Sequence, residues 1–233
     1  MDDPHGINVY YIWYGDWSND PLAQTILTDF ISNVGGSPYF NINNSYFDVN
    51  KDGERDAAPN KVNFKGSITD DYSFGAAISD NDLGCIIQNA ATSGKLPFDL
   101  NGQYFVMTSP DVIETSGFCQ TYCAFHGYQP VANGCGVQPS PNQLGQNIVA
   151  SFVGNPDQCR NVCEAQFPAS PNNDPAGDSM VSATAHELSE SANRPIQRCL
   201  GQCRRLGKRR FLRFHLRQRQ SLAQRGGLQS HAG

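Results

Sequence analysis

The chain has no acidic residue after Glu190. All 22 of its acids lie at or before that position, with only six of its 17 basic residues: Lys51, Arg55, Lys61, Lys65, Lys95 and Arg160. The stretch up to Glu190 therefore carries −16, and the rest carries +11. One folded domain rarely divides its charge this way, so a boundary is expected near residue 193, with a basic tail over 194–233. Long apolar runs are also missing. No stretch of 18 apolar residues occurs, which excludes a membrane-spanning helix of the usual kind. Charged residues make up only 17% of the chain, while Gly, Asn, Ser and Pro are plentiful, which argues against a helical bundle. There is no Gly-x-Ser-x-Gly turn to carry a nucleophilic serine. There is no phosphate loop either. Gly94-Lys95 is followed by Leu96 where Ser or Thr is needed, and Gly35-Gly36 closes a helix instead of opening one. The opening Met-Asp-Asp-Pro-His-Gly has neither the basic nor the apolar segment of an export signal, so the expectation is a natural start further upstream.

Cysteine is well represented. Of eight, six lie in the acidic body (Cys85, Cys119, Cys123, Cys135, Cys159 and Cys163) and two in the tail (Cys199 and Cys203). An even, dense set in a loop-rich domain favours disulfides and an oxidising compartment over reduced cytosolic thiols. Cys119 and Cys123 stand one helical turn apart and do not readily pair with each other, so they are expected to reach Cys135, Cys159 or Cys163. Asn43-Asn44-Ser45 is a glycosylation sequon and points the same way.

Ile7 to Tyr14 is β-branched and aromatic, and reads as a buried strand. After a turn at Gly15-Asp16, Asn19 or Asp20 caps a helix with Pro21 in first position. Its face is Leu22, Ile26, Leu27, Phe30, Ile31 and Val34. Residues 37–75 read as polar with short β segments. A second helix is expected from Asp80 to about Thr92, capped by Ser79 or Asp80, and Tyr104 to Thr108 reads as another buried strand. Phe118 to Phe125 reads as a short helix or tight turn, 127–177 as mostly loop, and Ser179 to about Ala192 as a helix capped by Asp178. Strands and helices interleave, which predicts an α/β or α+β fold: a mixed central sheet, flanking helices, many loops and disulfide staples.

Five segments, in order, carry a family resemblance. They are INVYYIWYGDW (7–17), LPFDLNGQYFVMTSPDV (96–112), FCQTYCAFH (118–126), QCRNVC (158–163) and DSMVSATAHELSE (178–190). Together they resemble the phosphate-induced protein 1 (EXORDIUM-like) family across about 180 residues. The resemblance implies a secreted protein of the cell wall or extracellular matrix, linked to growth and nutrient status, with matrix or wall components as partners. It implies no established biochemical activity.

After residue 195 the chain departs from the family's pattern, which continues with Ala-Trp and then Glu-Asn-Ala-Asp-x-Cys. Codon arithmetic offers a reason. Cys199-Leu200-Gly201, read one base later, begins Ala-Trp, and Gly207-Lys208-Arg209-Arg210 shifts to Glu-Asn-Ala-Asp. The tail is therefore expected to be out-of-frame translation, which makes Cys199 and Cys203 artefacts. The rival, a genuine basic arm for nucleic acid, has no recognised binding module behind it.

Two segments hold candidate chemistry. In His186-Glu187-Leu188-Ser189-Glu190, His186 and Glu190 share one helix face. Zinc peptidases place two His at this spacing with the Glu between them as general base, so a zincin-like helix is expected here. His186 and Glu190 would be zinc ligands and Glu187 the base of a metal-dependent hydrolase. A third ligand is missing from this chain and would come from the shifted frame. The plainer alternative is a hydrogen-bonded helix feature. Asp48, Asn50, Asp52 and Asp56 match the first half of a calcium loop, with Gly53 at the sharp turn. Pro59 stands where the bidentate Glu belongs, so a polar hairpin turn is favoured over calcium. Cys119, Cys123 and His126 have poor spacing for a zinc site, and disulfides are favoured there.

Overall fold

The computed structural model describes residues 6–49, 55–165 and 169–192. The tail after 193, with its proposed frame change and its cysteines, lies outside the described residues. So do the bend of the calcium-like loop (Asn50, Asp52) and the side chains of Asp48 and Asp56.

In chain order the elements are β1 (Ile7–Tyr14), α1 (Pro21–Asn33), β2 (Phe47–Val49), β3 (Arg55–Ala57), β4 (Val62–Asp70), β5 (Ala77–Ile78), α2 (Asp80–Thr92), β6 (Gly102–Thr108), β7 (Ile113–Glu114), β8 (Ala124–Pro130), β9 (Asn147–Gly154), α3 (Arg160–Cys163) and α4 (Pro175–Ala192). A five-stranded sheet of order β4-β1-β6-β9-β8 forms the middle layer. β1 runs parallel to β4 and β6, β6 runs parallel to β9, and β8 is antiparallel to β9, so the sheet is mixed, as expected from sequence. β2 and β3 pair antiparallel, with Asp48 opposite Asp56, so the two flanks of the calcium-like segment run side by side.

The central strands are buried on both faces, which explains why β1 reads as an unbroken apolar run. Tyr10, Ile12 and Tyr14 point to one side, where they meet Tyr104, Val106 and the Leu83, Ile86 and Ile87 of α2. Ile7, Val9, Tyr11 and Trp13 point to the other, where α1 supplies Leu27 and Ile31, and α4 supplies Met180 and Leu188. The result is three layers: α2, the sheet, and α1 with α4.

The helix ends follow their caps. Asp20 accepts from the Ala23 amide (3.3 Å) and Pro21 opens α1. Ser79 and Asp82 form a reciprocal capping box at the start of α2. Leu22, expected on the buried face of α1, is 47% exposed; Ala23 takes its place with Leu27 and Ile31. α4 begins at Pro175, four positions before the expected start. Asp178 does not cap it. It lies buried in the first turn, accepting from Ser170 Oγ (2.5 Å), the Asn172 amide (3.1 Å) and Asn172 Nδ2 (2.5 Å). β8 and β9 stand where mostly loop was expected.

Candidate functional site

All six body cysteines are paired: Cys85 with Cys135, Cys119 with Cys159, and Cys123 with Cys163. Of the alternatives left open for Cys119 and Cys123, the segment carrying Cys159 and Cys163 takes both. The Cys119 turn is set by Glu114, whose carboxylate accepts from the amides of Ser116, Gly117 and Phe118 and from the Tyr122 hydroxyl. This is a tight turn, one of the two forms expected for the segment. Cys119 itself has φ +66, a conformation L-residues rarely adopt, held by the surrounding bonds. Asn43, the sequon residue, is only 3% exposed in the 3-10 turn of Phe40–Ser45.

The interface between α4 and the sheet is unusually polar on one side. Near α1 it is apolar, but toward β8 and β9 it buries Gln103, Ser151, Thr184, Glu187 and Ser191. Gln103 donates to Ser151 Oγ (2.8 Å) and to the Glu187 carbonyl (3.3 Å), and accepts from Ser191 Oγ (2.6 Å). Those three groups answer one another, as buried polar groups must.

His126 sits on β8 opposite Ser151 and belongs to the same face as Ala124, toward α4. Its Nδ1 lies 2.6 Å from Glu187 Oε2 and 3.8 Å from Glu190 Oε2. On the other side of Glu190, His186 Nε2 stands 3.3 Å from Oε1. His186 and Glu190 thus share a face, as helical spacing requires. Glu187 is turned inward, fully buried, against His126. Burial pushes its carboxyl above the usual carboxylate range, and the hydrogen bond and charge of His126 offset this only in part. Among the described residues, nothing donates a hydrogen bond to Glu187 Oε1 or Glu190 Oε2, both buried oxygens.

The side chains that converge are therefore His126, Glu187 and Glu190, with ligand atoms all within 4.8 Å of one another. The sequence reading had His126 only as a poor partner for the cysteines. Its partner Glu187 lies 61 residues away on α4, a distance no local motif reports. Glu190 and His186 also line a cleft of about 450 Å³, walled opposite by Tyr39, Ile42 and Tyr46. Those three side chains are 54%, 65% and 54% exposed, so the cleft has an apolar lip and a charged floor. No described helix is long and apolar enough to cross a membrane.

Comparison with known proteins gives a consistent picture. A family model described as "Phosphate-induced protein 1 conserved region" matches residues 4–203. Protein EXORDIUM-like 5 of Arabidopsis thaliana is 28% identical over 214 residues, covering 82% of this chain and 54% of its own length. Protein EXORDIUM-like 3 of the same plant is 27% identical over 216 residues, covering 82% and 59%. The chain thus spans a little over half the length of the curated relatives it matches. No solved structure matches it.

Proposed function

The chain belongs to the phosphate-induced protein 1 family, and from that premise we propose that it is an extracellular protein of the cell wall or matrix, acting in growth and nutrient response. The observation that carries this reading is the set of three disulfides. Structural disulfides form and persist in oxidising compartments, and cytosolic thiols are kept reduced. The names of the relatives agree with the family but say nothing of compartment or partner. Wall or matrix components are the proposed partners, and the cleft between the 3-10 turn and α4 is a place for them.

The test is fractionation of the tissue that makes the protein, with alkylation before and after reduction. The protein is expected in the wall and extracellular fluid, with its six body cysteines unreactive until reduced. Recovery from the cytosol with freely alkylated cysteines sinks the reading.

For residues 194–233 the proposal is an out-of-frame tail. Its support is the charge reversal and the recovery of the family's Ala-Trp and Glu-Asn-Ala-Asp strings one base later. Sequencing the transcript across codons 185–233 decides it: an uninterrupted frame that encodes the tail as written refutes the proposal.

A further inference from the structure

We propose that His126, Glu187 and Glu190 together hold one divalent transition-metal ion, with zinc the first choice. The inference starts from two oxygens. Glu187 is fully buried, and its Oε1 has no hydrogen-bond partner among the described residues; Glu190 Oε2, a buried atom too, has none among them either. An ionised carboxylate taken out of water without a partner is strongly disfavoured. Here each of two acids has one oxygen on a histidine and one left over, and the two acids come within 4.8 Å of each other and of an imidazole nitrogen.

The neighbouring polar groups do not relieve the strain. Gln103 and Ser191 are bonded to one another and to backbone, Ser151 accepts from Gln103, and Thr184 Oγ1, also buried, makes no hydrogen bond to either carboxylate among the described residues. Among the described residues, the nitrogen within reach of both carboxylates is His126 Nδ1, which already stands 2.6 Å from Glu187 Oε2. One imidazole is at most one positive charge against two carboxylates. A dication balances both, and uses the oxygens that hydrogen bonding leaves idle.

The donor set defines the class of ion. One imidazole and two carboxylates suit zinc, manganese or ferrous iron better than a soft ion that wants sulfur. All six body cysteines are in disulfides and offer no thiolate. The surroundings fit as well. His186 Nε2 lies 3.3 Å from Glu190 Oε1 and orients that carboxylate from outside, as partners of ligands commonly do. Glu190 lies on the floor of the 450 Å³ cleft, which gives the ion a path in and leaves one side open to water or a ligand. Two elements meet at the ion. β8 gives His126 and successive turns of α4 give the two acids, so the ion pins the edge strand to the helix. Glu187 is then a ligand, in place of the general base that the sequence pattern suggested.

The experiment uses the full chain with its disulfides intact, stripped with a chelator and dialysed against zinc. Elemental analysis and calorimetric titration are expected to give one tight equivalent per chain, with a raised melting temperature. Glu190→Gln and His126→Ala should each weaken zinc binding at least tenfold and abolish the thermal shift. Glu187→Gln should do the same; because Glu187 is buried, its folding is checked by far-UV circular dichroism, and the more exposed Glu190 variant carries the test if it fails. Replacing His215 and His231 together should leave the equivalent intact. Cobalt should bind without an intense thiolate charge-transfer band. The proposal is overturned if the folded chain takes up no zinc, manganese or cobalt, or if the equivalent survives both Glu190→Gln and His126→Ala. It is equally overturned if cobalt reports a thiolate site.

Discussion

Asp178 shows how a single residue acquires a role that its place in a motif does not announce. Asp174 lies nearer the start of the last helix and accepts from the Gly177 amide (2.9 Å), but Asp178 is the acid just before the expected start at Ser179, so it looks like a cap. Its carboxylate instead ties the preceding loop down, through Ser170 and Asn172. Burial alone would raise its pKa, but those hydrogen bonds outweigh burial and hold it below the ordinary 3.8. A depressed carboxylate stabilises the fold above its unfolded-state pKa, and that contribution is lost as pH falls through the folded value. Hydrogen bonds to an ionised group contribute about 1.5–3 kcal/mol each in partly buried settings, and neighbours are not additive. Asp178→Asn is therefore expected to cost on the order of 2 kcal/mol at pH 7. Urea melts at falling pH should show that gap narrowing below the ordinary carboxylate range. A gap that stays constant with pH would mean the carboxylate charge plays no part.

At the scale of elements, the disulfides divide into unequal cases. Cys85–Cys135 stands alone and closes 50 residues between α2 and the loop before β9. The other two bridges join the same two short segments, residues 119–123 and 159–163, each across 40 residues. Closing a loop of that length restricts the unfolded chain by about 4 kcal/mol in the entropic account. Once either of the paired bridges exists, the second closes only a ring of about ten residues and restricts by about 2.5 kcal/mol. Removing one of the pair by Cys→Ser at both ends should therefore cost less than a lone bridge would. Removing both should cost about 6 kcal/mol, more than twice the single effect. Chemical denaturation of the three variants measures this coupling, and additive losses would contradict it.

Across the whole molecule, one sheet carries two apolar faces, and neither helical layer has a core of its own. Leu27 on α1 and Ile87 on α2 are both buried, on opposite sides of the sheet. Each truncation to Ala is expected to cost about 2–5 kcal/mol. Because β1 and β6 are shared by both clusters, near-UV and far-UV signals should melt together in each variant. Separate transitions would mean that the α2 face and the α1–α4 face unfold independently. The same architecture brings β8 beneath α4, and so places His126 against Glu187.

Local physics made much of this legible. β1 is buried on both faces and therefore reads as an unbroken run; α1 and α2 carry side-chain caps at their starts. Cysteine number and setting pointed to disulfides because pairing reflects compartment and domain type. The two-sided burial of β9 hid it: Asn147–Gly154 is bounded by turn residues at Gly145 and Gly154-Asn155-Pro156, but it lacks the alternation that marks a half-buried strand. By itself, the sequence determined the family, the mixed α/β class, the caps of α1 and α2, the set of bonded cysteines and the shared face of His186 and Glu190. All of these depend on neighbours within a few residues or on composition. Only the tertiary structure decided which cysteines pair, which way Glu187 points and that His126 is its partner. Those facts depend on how β8 returns antiparallel along β9 beneath α4, and contacts between residues so far apart in the chain leave no trace in spacing.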